Sequence, residues 1–365
     1  MKQLPADKPP GTSRIAIFVI VLSCLNLVIL SIVNYLIYIV SETWWPGTVL
    51  TYAPRMPFVI PAIFLLFASL IWHRPSIGLN LVAVGIALVP VMGLSIPLGL
   101  WMNGSPKIEG ATSLTIVSCN VQSFQPDFSK VLEEIVAIKP DVIALQEAFG
   151  EDDRLNSFCK DSQWYTLRYG QYWIGSRYRL SLISGFDVTP FGGRSAGMLV
   201  HIEVPNGPIV LGNIHQMTAR FGLKELSLET LTNGKGAKEL SEYQAKRERD
   251  STEIRAAINS SYKDEPLIVC GDFNTPTSSS LFRKHWGDLQ SCYDNAGFGY
   301  GYTCSCKERR LWPTNFPWAR IDHILCSREW SIQDCQIGKS GGSDHRLISA
   351  TITLNVRKEP GSASP

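Results

Sequence analysis

The first hundred residues carry long apolar runs, and these runs restrict the possible folds more than any other feature of the chain. The first run covers residues 15–40, carries no charge and is interrupted only by Ser, Asn and Cys. A helix that spans a bilayer needs about 20 predominantly apolar residues, so this run is long enough to cross. It is too long for the apolar core of a signal peptide, and no small-residue cleavage pattern follows it. The run therefore predicts a transmembrane helix.

Two further apolar runs follow, at residues 58–72 and 77–101. The prolines inside them are tolerated, because neighbouring groups in a membrane helix satisfy the freed backbone atoms. Trp44, Trp45 and Trp101 lie at run ends, where the aromatic belt of a membrane protein is found. We therefore predict an N-terminal tail at 1–14 and three transmembrane helices within residues 15–102. Because the second run is short, a re-entrant or interfacial hairpin is the alternative.

The basic residues around these runs predict their orientation. Lys2, Lys8 and Arg14 precede the first run, and Arg74 lies between the second and third. The loop between the first two runs has no positive excess, so the positive-inside rule places the N-terminus in the cytoplasm. With three spans, the C-terminal part of the chain lies outside the cytoplasm. A count of two spans reverses that conclusion.

Residues 103–112 form a linker, and the pattern beyond them is that of a globular domain over residues 113–355, with a disordered tail at 356–365. Short apolar runs alternate there with polar, helix-like stretches, which indicates a mixed α/β sandwich of sheets flanked by helices. The predicted strands are 114–119, 142–145, 173–175, 180–183, 197–202, 209–214, 267–270, 321–326 and 348–354, and the predicted helices are 128–138 and 240–260. The charge run at 246–250 in the second helix predicts a solvated face.

Six of the expected strand ends carry polar residues that an ordinary core does not need. The clearest is the Gly-Asp-Phe-Asn stretch at 271–274, which follows the apolar run 266–270. We expect Asp272 and Asn274 to point to one side, since residues two apart share a strand face. Glycine at the turn leaves room for a substrate. Six such ends indicate one shared cleft, which also contains Asn120, Gln146, Glu147, His215, Asp322, His323, Asp344 and His345.

The chemistry of this set indicates a metal-dependent hydrolysis. Glu147, Asp344 and the neutral Asn120 supply hard oxygen ligands of the kind that suit Mg²⁺ or Mn²⁺. Asp272 is a candidate general base for water. His215 and His345 can contact phosphate oxygens or a leaving group, and Asp322 can hold one imidazole in its charged form. Such groups suit attack of water on a phosphorus centre.

The cysteines leave two structural alternatives open. Cys304 and Cys306, with Cys292 upstream, form a spacing that occurs in metal clusters, but the histidines that complete such clusters are not nearby. If the domain is exported, one or two disulfides among Cys292, Cys304, Cys306, Cys326 and Cys335 are compatible with that compartment. The sequence does not give their pairing.

The order of the strand-end motifs resembles the endonuclease/exonuclease/phosphatase superfamily, whose members include DNase I-like nucleases and phosphatases. The resemblance spans about residues 113–355 and implies a four-layered α/β sandwich of the DNase I-like kind. It rests on Asn120, Gln146-Glu147, His215, the 271–274 motif, the Arg-Ile-Asp-His at 320–323 and the Ser-Asp-His at 343–345.

The resemblance also implies roles for these residues. Asn120 and Glu147 would bind or orient the metal, and Asp344 would assist the metal or the base. Asp272 would activate water, and Asn274 would hold the phosphate and help to place that base. Paired with Asp322, His345 would bind the scissile phosphate. His215 would stabilise or protonate the leaving oxygen, although many relatives have Thr-x-His-Leu where this chain has Asn-Ile-His-Gln at 213–216.

The apolar helices, together with Trp312 and Pro313, resemble a membrane-anchored bacterial branch of the superfamily. This implies a multi-pass protein of the bacterial inner membrane with an extracytoplasmic catalytic domain. The roughly twelve residues between Trp101 and Leu114 span at most about 40 Å, which holds the domain near the bilayer surface. That position favours a lipid-linked phosphate as substrate. The isolated domain is expected to match the full chain on a small soluble ester.

Two other functions stay open at this point, and the oligomeric state is not predicted. A nuclease that acts on duplex DNA is expected to carry a basic surface, whereas this chain has a formal net charge of +2 and a pI of ≈ 8.0. Nucleic acid is therefore the less favoured partner, although Arg309, Arg310 and the basic residues at 246–249 keep that function open. A catalytically inactive membrane scaffold predicts loss of key residues, and none of those named above is missing.

Overall fold

The structure is a computed structural model that describes residues 13–104, 111–262, 265–304, 316–339 and 341–355. The predicted tail at 356–365, residues 1–12 of the predicted N-terminal tail and residues 105–110 of the linker lie outside this part of the chain. So do Trp312, Pro313, Cys306, Arg309 and Arg310. The described residues form an N-terminal helical region and a larger two-sheet domain.

The N-terminal region is a bundle of three helices. Helix α1 (Arg14–Tyr35) continues as a π-helical turn to Val40, and α3 (Val59–Trp72) and α4 (Ile77–Ile86) pack against it. Their buried contact faces are mainly apolar, although Asn80 of α4 donates to Ser23 Oγ of α1 at 3.0 Å. Their outward faces are also apolar, with Phe18 64% and Phe64 72% exposed. Helices that are apolar on all sides need an apolar environment, which a bilayer supplies.

The number of spans depends on how the second apolar run is counted. The segments Arg14–Thr43 and Arg74–Val91 are each long and apolar enough to cross a membrane. Helix α2 (Trp45–Tyr52) and the segment Met56–Trp72 meet at 93°, so together they form a broken span or a re-entrant loop. Two or three helices of this region can therefore cross, and the three-span count stays a prediction.

The prediction that the third apolar run, residues 77–101, forms a single helix is wrong. The helix that begins at Ile77 ends with a π-helical turn over Ala87–Val91, and α5 (Leu98–Asn103) is a separate short helix. Gly93 has a φ of 80°, which no helix continues, and Pro97 precedes the new helix. The apolar residues of 92–101 therefore lie at the boundary of the bundle instead of in its third helix.

Within the described residues, twelve strands form two six-stranded sheets. The first has the order β11-β12-β1-β2-β4-β3 and the second the order β5-β6-β7-β8-β10-β9. Pairs β1–β2 and β7–β8 are parallel, and the other neighbours are antiparallel. The strands are β1 (Ser113–Asn120), β2 (Val142–Gln146), β3 (Tyr165–Tyr169), β4 (Tyr172–Ser176), β5 (Leu180–Val188), β6 (Arg194–Val204), β7 (Gly207–His215), β8 (Leu267–Asp272), β9 (Gln290–Ser291), β10 (Asp322–Cys326), β11 (Trp330–Ile337) and β12 (Ile348–Leu354).

Helices cover the outer face of each sheet, which gives four layers and confirms the predicted sandwich. The inner faces of both sheets share one apolar core. Helices α6 (Phe128–Ile138) and α7 (Asp153–Asp161) pack on the first sheet, and α10 (Lys235–Ser261) and α11 (Ser280–Trp286) pack on the second. The remaining helices are α8 (Arg220–Leu223), α9 (Leu228–Thr232) and α12 (Cys292–Ala296).

Three strands lack a signal that the sequence analysis could detect. Strands β3 and β11 lie at the two edges of the first sheet, and β9 lies at an edge of the second. An edge strand has fewer buried positions, and β3 is mostly exposed, so its polar sequence does not resemble a core strand. The cysteines at 292, 304, 326 and 335 are free thiols, so no predicted disulfide forms among them.

Buried polar contacts join the bundle to the two-sheet domain. The Arg55 guanidinium donates to the carbonyl oxygens of Thr51, at 2.7 Å, and Val91, at 3.1 Å, which end two apolar helices. It also donates to Ser278 Oγ at 2.9 Å in the domain. A cation at helix C-termini is favoured by the helix dipole, so Arg55 stabilises the junction without an acidic partner at its nitrogen atoms.

Candidate active site

Strand direction brings the predicted site residues to one edge of the two sheets. The parallel strands β1 and β2 end at Asn120 and Gln146, and the parallel strands β7 and β8 end at His215 and Asp272. Strand β10 runs the opposite way, so its first residue, Asp322, lies beside Asp272. All these residues therefore lie at the same edge, as the polar strand ends predicted.

A buried amide pair connects the two sheets under this edge. Gln146 Nε2 donates to Asn213 Oδ1 at 2.7 Å, and Asn213 Nδ2 donates to the carbonyl oxygen of Leu145 at 3.0 Å. Both amides are fully buried. A buried polar pair loses much of its stability when one partner is removed, so this pair fixes the relative position of β2 and β7.

The turn after β8 aims the Asp272 carboxylate. Gly271 has a φ of 139°, and a Cβ atom there would lie 2.0 Å from the carbonyl oxygen of Ile214, so glycine is required. Asn274 has a φ of 49°, and its backbone N–H donates to Asp272 Oδ1 at 2.8 Å. The expectation that Asp272 and Asn274 share a strand face is wrong, because the strand ends at Asp272.

The Asn120 side chain holds two carboxylates together. Its Oδ1 accepts a hydrogen bond from the backbone N–H of Gln122 at 3.1 Å, which fixes the orientation of the amide. Its Nδ2 then donates to Glu147 Oε1 at 3.0 Å and to Asp272 Oδ2 at 3.2 Å. Asn120 presents N–H groups, and not its oxygen, to the carboxylates, so it orients them.

His215 lies beside the same carboxylates in a neutral form. Gln171 Nε2 donates to the carbonyl oxygen of Ser195, so Gln171 Oε1 must accept from His215 Nδ1, at 3.0 Å. His215 Nε2 lies 3.5 Å from Asp272 Oδ2. Burial and the nearby Arg194 lower the pKa of His215 to about 3. A neutral imidazole has no spare proton, so the predicted protonation of the leaving oxygen by His215 is disfavoured.

His345 is the charged histidine of the cluster. Its Nδ1 lies 2.8 Å from Asp322 Oδ2 and 3.0 Å from Oδ1, and both residues are buried. Burial alone favours the neutral ring, but Asp322, Cys304 and Asp272 together raise the pKa of His345 well above its usual value. Its Nε2 lies 3.8 Å from Asp272 Oδ2. His345 can therefore donate to an anionic substrate.

Asp272 has the properties of a general base. Burial raises the pKa of its carboxyl group to about 7, although His345 and hydrogen bonds from Asn274 and Asn120 act in the opposite direction. A base whose pKa lies near the working pH combines a useful ionised fraction with strong proton affinity.

Several of these residues line a cavity of about 620 Å³, which is within the usual range for ligand sites. Glu147, Asp272, Asp344 and His345 are among the residues of its wall. Asn274 also lines the cavity, while its Nδ2 donates to the carbonyl oxygen of Gln216 at 2.9 Å. The rest of the wall is formed by Tyr52, Gln171, Arg194, His215, Gln216, Met217, Thr218, Ala219, Arg220, Phe221, Leu223, Lys224, Cys304, Trp318, Ala319 and Ile321.

The charge run in α10 contributes two residues that the sequence analysis missed. Arg247 is 2% exposed and Asp250 is 1% exposed, so the predicted solvated face is wrong at these positions. They are three residues apart and share one helix face, while Lys246 and Arg249 are exposed. Arg194 Nη2 binds both oxygens of Asp250 at 2.7 and 2.8 Å, and its Nη1 donates to the His215 carbonyl oxygen at 2.6 Å. The signal available in the sequence was this spacing of three residues, which places Arg247 and Asp250 on the same face of the helix.

The family comparison agrees with this geometry. The sequence model of the Endonuclease/Exonuclease/phosphatase family matches residues 117–345, which include all the site residues named above except Tyr52. The chain belongs to the endonuclease/exonuclease/phosphatase family. Members of this family hydrolyse phosphoesters and generally use divalent metals.

The chain is also similar to several solved structures, at low sequence identity. A family protein from Bacteroides thetaiotaomicron is 13% identical, with 68% of this chain and 100% of that chain covered and a TM-score of 0.49. A Neisseria 3′ phosphatase bound to a product DNA hairpin is 17% identical, with coverages of 65% and 98% and a TM-score of 0.47. A mannosyl-6-phosphatase from B. thetaiotaomicron is 14% identical, with coverages of 66% and 99% and a TM-score of 0.46. No curated protein matches the chain.

The donor set fits a divalent cation. Asp272, Asp322 and His345 offer ligand atoms within 4.8 Å of one another, but Asp322 and His345 already satisfy each other. Glu147 is different: its side chain is 33% exposed at the cavity and accepts a hydrogen bond from Asn120 Nδ2 at 3.0 Å. Carboxylates of Glu147 and Asp344 on one cavity wall are the hard ligands that Mg²⁺ and Mn²⁺ prefer.

The raised pKa values of Asp272 and His345 predict a bell-shaped dependence of the hydrolysis rate on pH, because the base must be ionised while the histidine stays protonated. The rate should rise as Asp272 loses its proton, with an inflection at or below about 7, because a bound cation lowers the pKa of a nearby acid. It should fall again at alkaline pH as His345 loses its proton. Asp322→Asn removes a carboxylate that raises the pKa of His345, so the alkaline limb should move to lower pH. A pH-rate profile with an unmoved alkaline limb contradicts this assignment.

Proposed function

We propose that this protein is a membrane-anchored, divalent-metal-dependent phosphohydrolase that cleaves a phosphoester or phosphoanhydride in a lipid-linked substrate. The observation that carries the proposal is the composition of the cavity wall. Tyr52, from the N-terminal helical region, lines the same cavity as Asp272 and His345. The reactive groups therefore open beside the helices that we assign to the bilayer.

The residues of the cluster divide into metal-binding and proton-handling groups in this proposal. Glu147 and Asp344 would hold the cation, and Asn120 would orient Glu147 and Asp272. When bound, a divalent cation would neutralise the charge that develops on the phosphoryl oxygens. No zinc-like thiol set is needed for this chemistry.

Asp272 would accept the proton of the attacking water as the new oxygen–phosphorus bond forms. The bond from phosphorus to the leaving oxygen breaks in the same displacement, and the electron pair stays on that oxygen. His345, kept charged by Asp322, would donate its Nε2–H to the phosphate and is placed to neutralise the leaving oxygen. Asn274 keeps Asp272 aimed, and His215 would contact the substrate or the cation through its unprotonated Nε2.

The chemistry of the rest of the wall suits an amphiphilic substrate. Met217, Phe221, Leu223 and Trp318 line the same cavity as the carboxylates. The guanidinium of Arg220 and the ammonium of Lys224 lie 5.2 and 5.5 Å from the Phe221 ring centre. Apolar surface beside exposed cations is what a phosphate attached to a hydrocarbon chain would contact.

The test uses the full-length protein in detergent micelles with three substrates: a polyprenyl diphosphate, a phosphatidate and an oligonucleotide. With Mg²⁺ or Mn²⁺ we expect phosphate release from at least one lipid and little cleavage of the oligonucleotide, and EDTA should abolish the reaction. Efficient cleavage of the oligonucleotide with no release from either lipid replaces this proposal with a nuclease. Full activity in EDTA contradicts the metal assignment.

The position of the domain predicts protease accessibility from outside the cell. Glu42 follows the C-terminal end of α1 and contacts Ser280 of the domain. Arg14 begins α1 at the other end, and the 22 residues of this helix span about 33 Å. If α1 crosses the bilayer with its N-terminus in the cytoplasm, the domain lies outside. Protease added to spheroplasts should then cut residues 113–355 while a cytoplasmic marker stays intact. Cutting only after the membrane is broken contradicts this orientation.

A further inference from the structure

Tyr52 connects the helical region to the catalytic loops. Its hydroxyl donates to Glu42 Oε1 at 2.9 Å and accepts from Arg247 Nη1 at 2.7 Å. The Arg247 guanidinium carbon also lies 5.2 Å from the Tyr52 ring centre. A buried arginine therefore donates a hydrogen bond to a residue outside the two-sheet domain and also lies against the aromatic face of that residue.

Arg247 in turn holds the two loops that carry His215 and Asp272. Its Nη2 donates to the carbonyl oxygen of Asn274 at 2.9 Å and to Thr275 Oγ1 at 2.8 Å. Its Nε donates to the carbonyl oxygen of Met217 at 2.8 Å. One guanidinium thus fixes the segments that follow β7 and β8, with the fork geometry that a lysine cannot reproduce.

The contact at Asn274 reaches the proposed base. The backbone N–H of Asn274 donates to Asp272 Oδ1 at 2.8 Å, and its side chain donates to the carbonyl oxygen of Gln216 at 2.9 Å. A shift of the Asn274 carbonyl oxygen moves the peptide units on either side of it. The direction of the Asp272 carboxylate therefore depends on the hydrogen bonds of Arg247.

Glu42 is the other end of this chain of contacts. Ser280 Oγ donates to Glu42 Oε2 at 2.7 Å, and Ser279 Oγ donates to Oε1. The backbone N–H of Ser280 donates to Ser41 Oγ at 3.0 Å. The Tyr52 hydroxyl lies between the Glu42 carboxylate and the Arg247 guanidinium, so the opposite charges compensate each other across it.

We propose that Glu42, Tyr52 and Arg247 form a relay that positions the Asp272–Thr275 loop, so that the catalytic site is complete only when the N-terminal helical region is docked. These three are positioning residues, since they act through the loop. The inference rests on the proposed phosphoester hydrolysis, but it does not depend on whether the substrate is lipid-linked. It also revises the expectation that the isolated domain matches the full chain on a soluble ester, because that domain lacks Glu42 and Tyr52.

The experiment compares Tyr52→Phe with Tyr38→Phe in the full-length protein in detergent. Tyr38 is a matched control, because its hydroxyl donates to the carbonyl oxygen of Pro90 at 3.1 Å, within the same helical region and not in the Asp272–Thr275 loop. With bis(p-nitrophenyl) phosphate as a soluble probe, Tyr52→Phe should lower kcat about 10- to 100-fold, the effect of losing a hydrogen bond to a charged group. KM should change little, and Tyr38→Phe should retain the wild-type kcat.

Two further readouts separate positioning from simple destabilisation. Hydrogen exchange at the amides of residues 272–275 should quicken in Tyr52→Phe and not in Tyr38→Phe, at equal thermal stability. Glu42→Gln should lower kcat as well, and adding it to Tyr52→Phe should have little further effect, since both break one chain of contacts. Equal losses of kcat in both tyrosine variants, or unchanged kcat and unchanged exchange in Tyr52→Phe, overturn the relay.

The outcome for the relay is distinguishable from that for the proposed function. If the wild-type protein hydrolyses the soluble ester and no lipid phosphate, the lipid-linked substrate is wrong while the kcat comparison still decides the relay. If the wild-type protein hydrolyses no phosphoester, the proposed function is wrong, and the amide exchange rates at residues 272–275 decide the relay alone.

Discussion

Asp272→Asn should reduce turnover by about two to four orders of magnitude while the fold is retained. The substituted side chain keeps its volume and its hydrogen bond from the Asn274 N–H, but an amide cannot take a proton from water. The measurement is kcat at saturating Mg²⁺, with the melting temperature recorded in parallel. Asp187→Asn, an exposed position on β5, is the matched control and should keep wild-type activity. Near-normal kcat in Asp272→Asn removes this residue from the role of base.

Glu147→Gln should also lower turnover by about two to four orders of magnitude, but through the metal. The amide retains one oxygen and loses the negative charge that would attract the cation, so the Mg²⁺ concentration for half-maximal activity should rise. Part of the lost activity of Glu147→Gln should return at high Mg²⁺, whereas the activity of Asp272→Asn should not return. The exposed Glu151→Gln serves as control. An unchanged Mg²⁺ requirement together with wild-type kcat contradicts the assignment of Glu147.

The site was predictable from sequence where a short apolar strand ends in a polar residue. Asn120, His215 and Asp272 each end a strand, so the strand pattern alone places them at one edge. Gly271 was also informative, because only glycine accepts its φ and its contact with the Ile214 carbonyl. Local sequence and global fold agree at these positions, as expected of a site built on rigid strands.

The site residues that the sequence analysis did not predict are positioned by contacts between segments that are distant in sequence. A run of charges on a helix does not reveal which face docks, so Arg247 and Asp250 were assigned to solvent although they are buried. Tyr52 lies in the apolar N-terminal region, and nothing near it in sequence indicates a cleft. The positive φ of Glu147, 50°, is likewise set by the surrounding fold, because a non-glycine residue adopts it only under tertiary constraint.

In the N-terminal helical region, the sequence predicted the apolar character of the segments but not the places where the helices break. Hydropathy located the first apolar helix, but it did not detect the 93° bend between Trp45–Tyr52 and Met56–Trp72. Nor did it detect the end of the third helix at Val91, where apolar residues continue beyond the turn. Apolar composition reports the environment of a segment, whereas breaks depend on backbone geometry and on buried groups such as Arg55 that satisfy the freed carbonyl oxygens.

The most direct test of a lipid-linked substrate is the dependence of the rate on surface concentration. The full-length protein is reconstituted in phosphatidylcholine vesicles that contain a polyprenyl diphosphate, and phosphate release is measured with Mg²⁺. The total amount of the diphosphate is kept constant while its mole fraction in the vesicles is lowered with more phosphatidylcholine. For a membrane-tethered site we predict that the initial rate falls with mole fraction. A rate that does not change with mole fraction, or no phosphate release while DNA is cleaved in the same vesicles, would contradict the account.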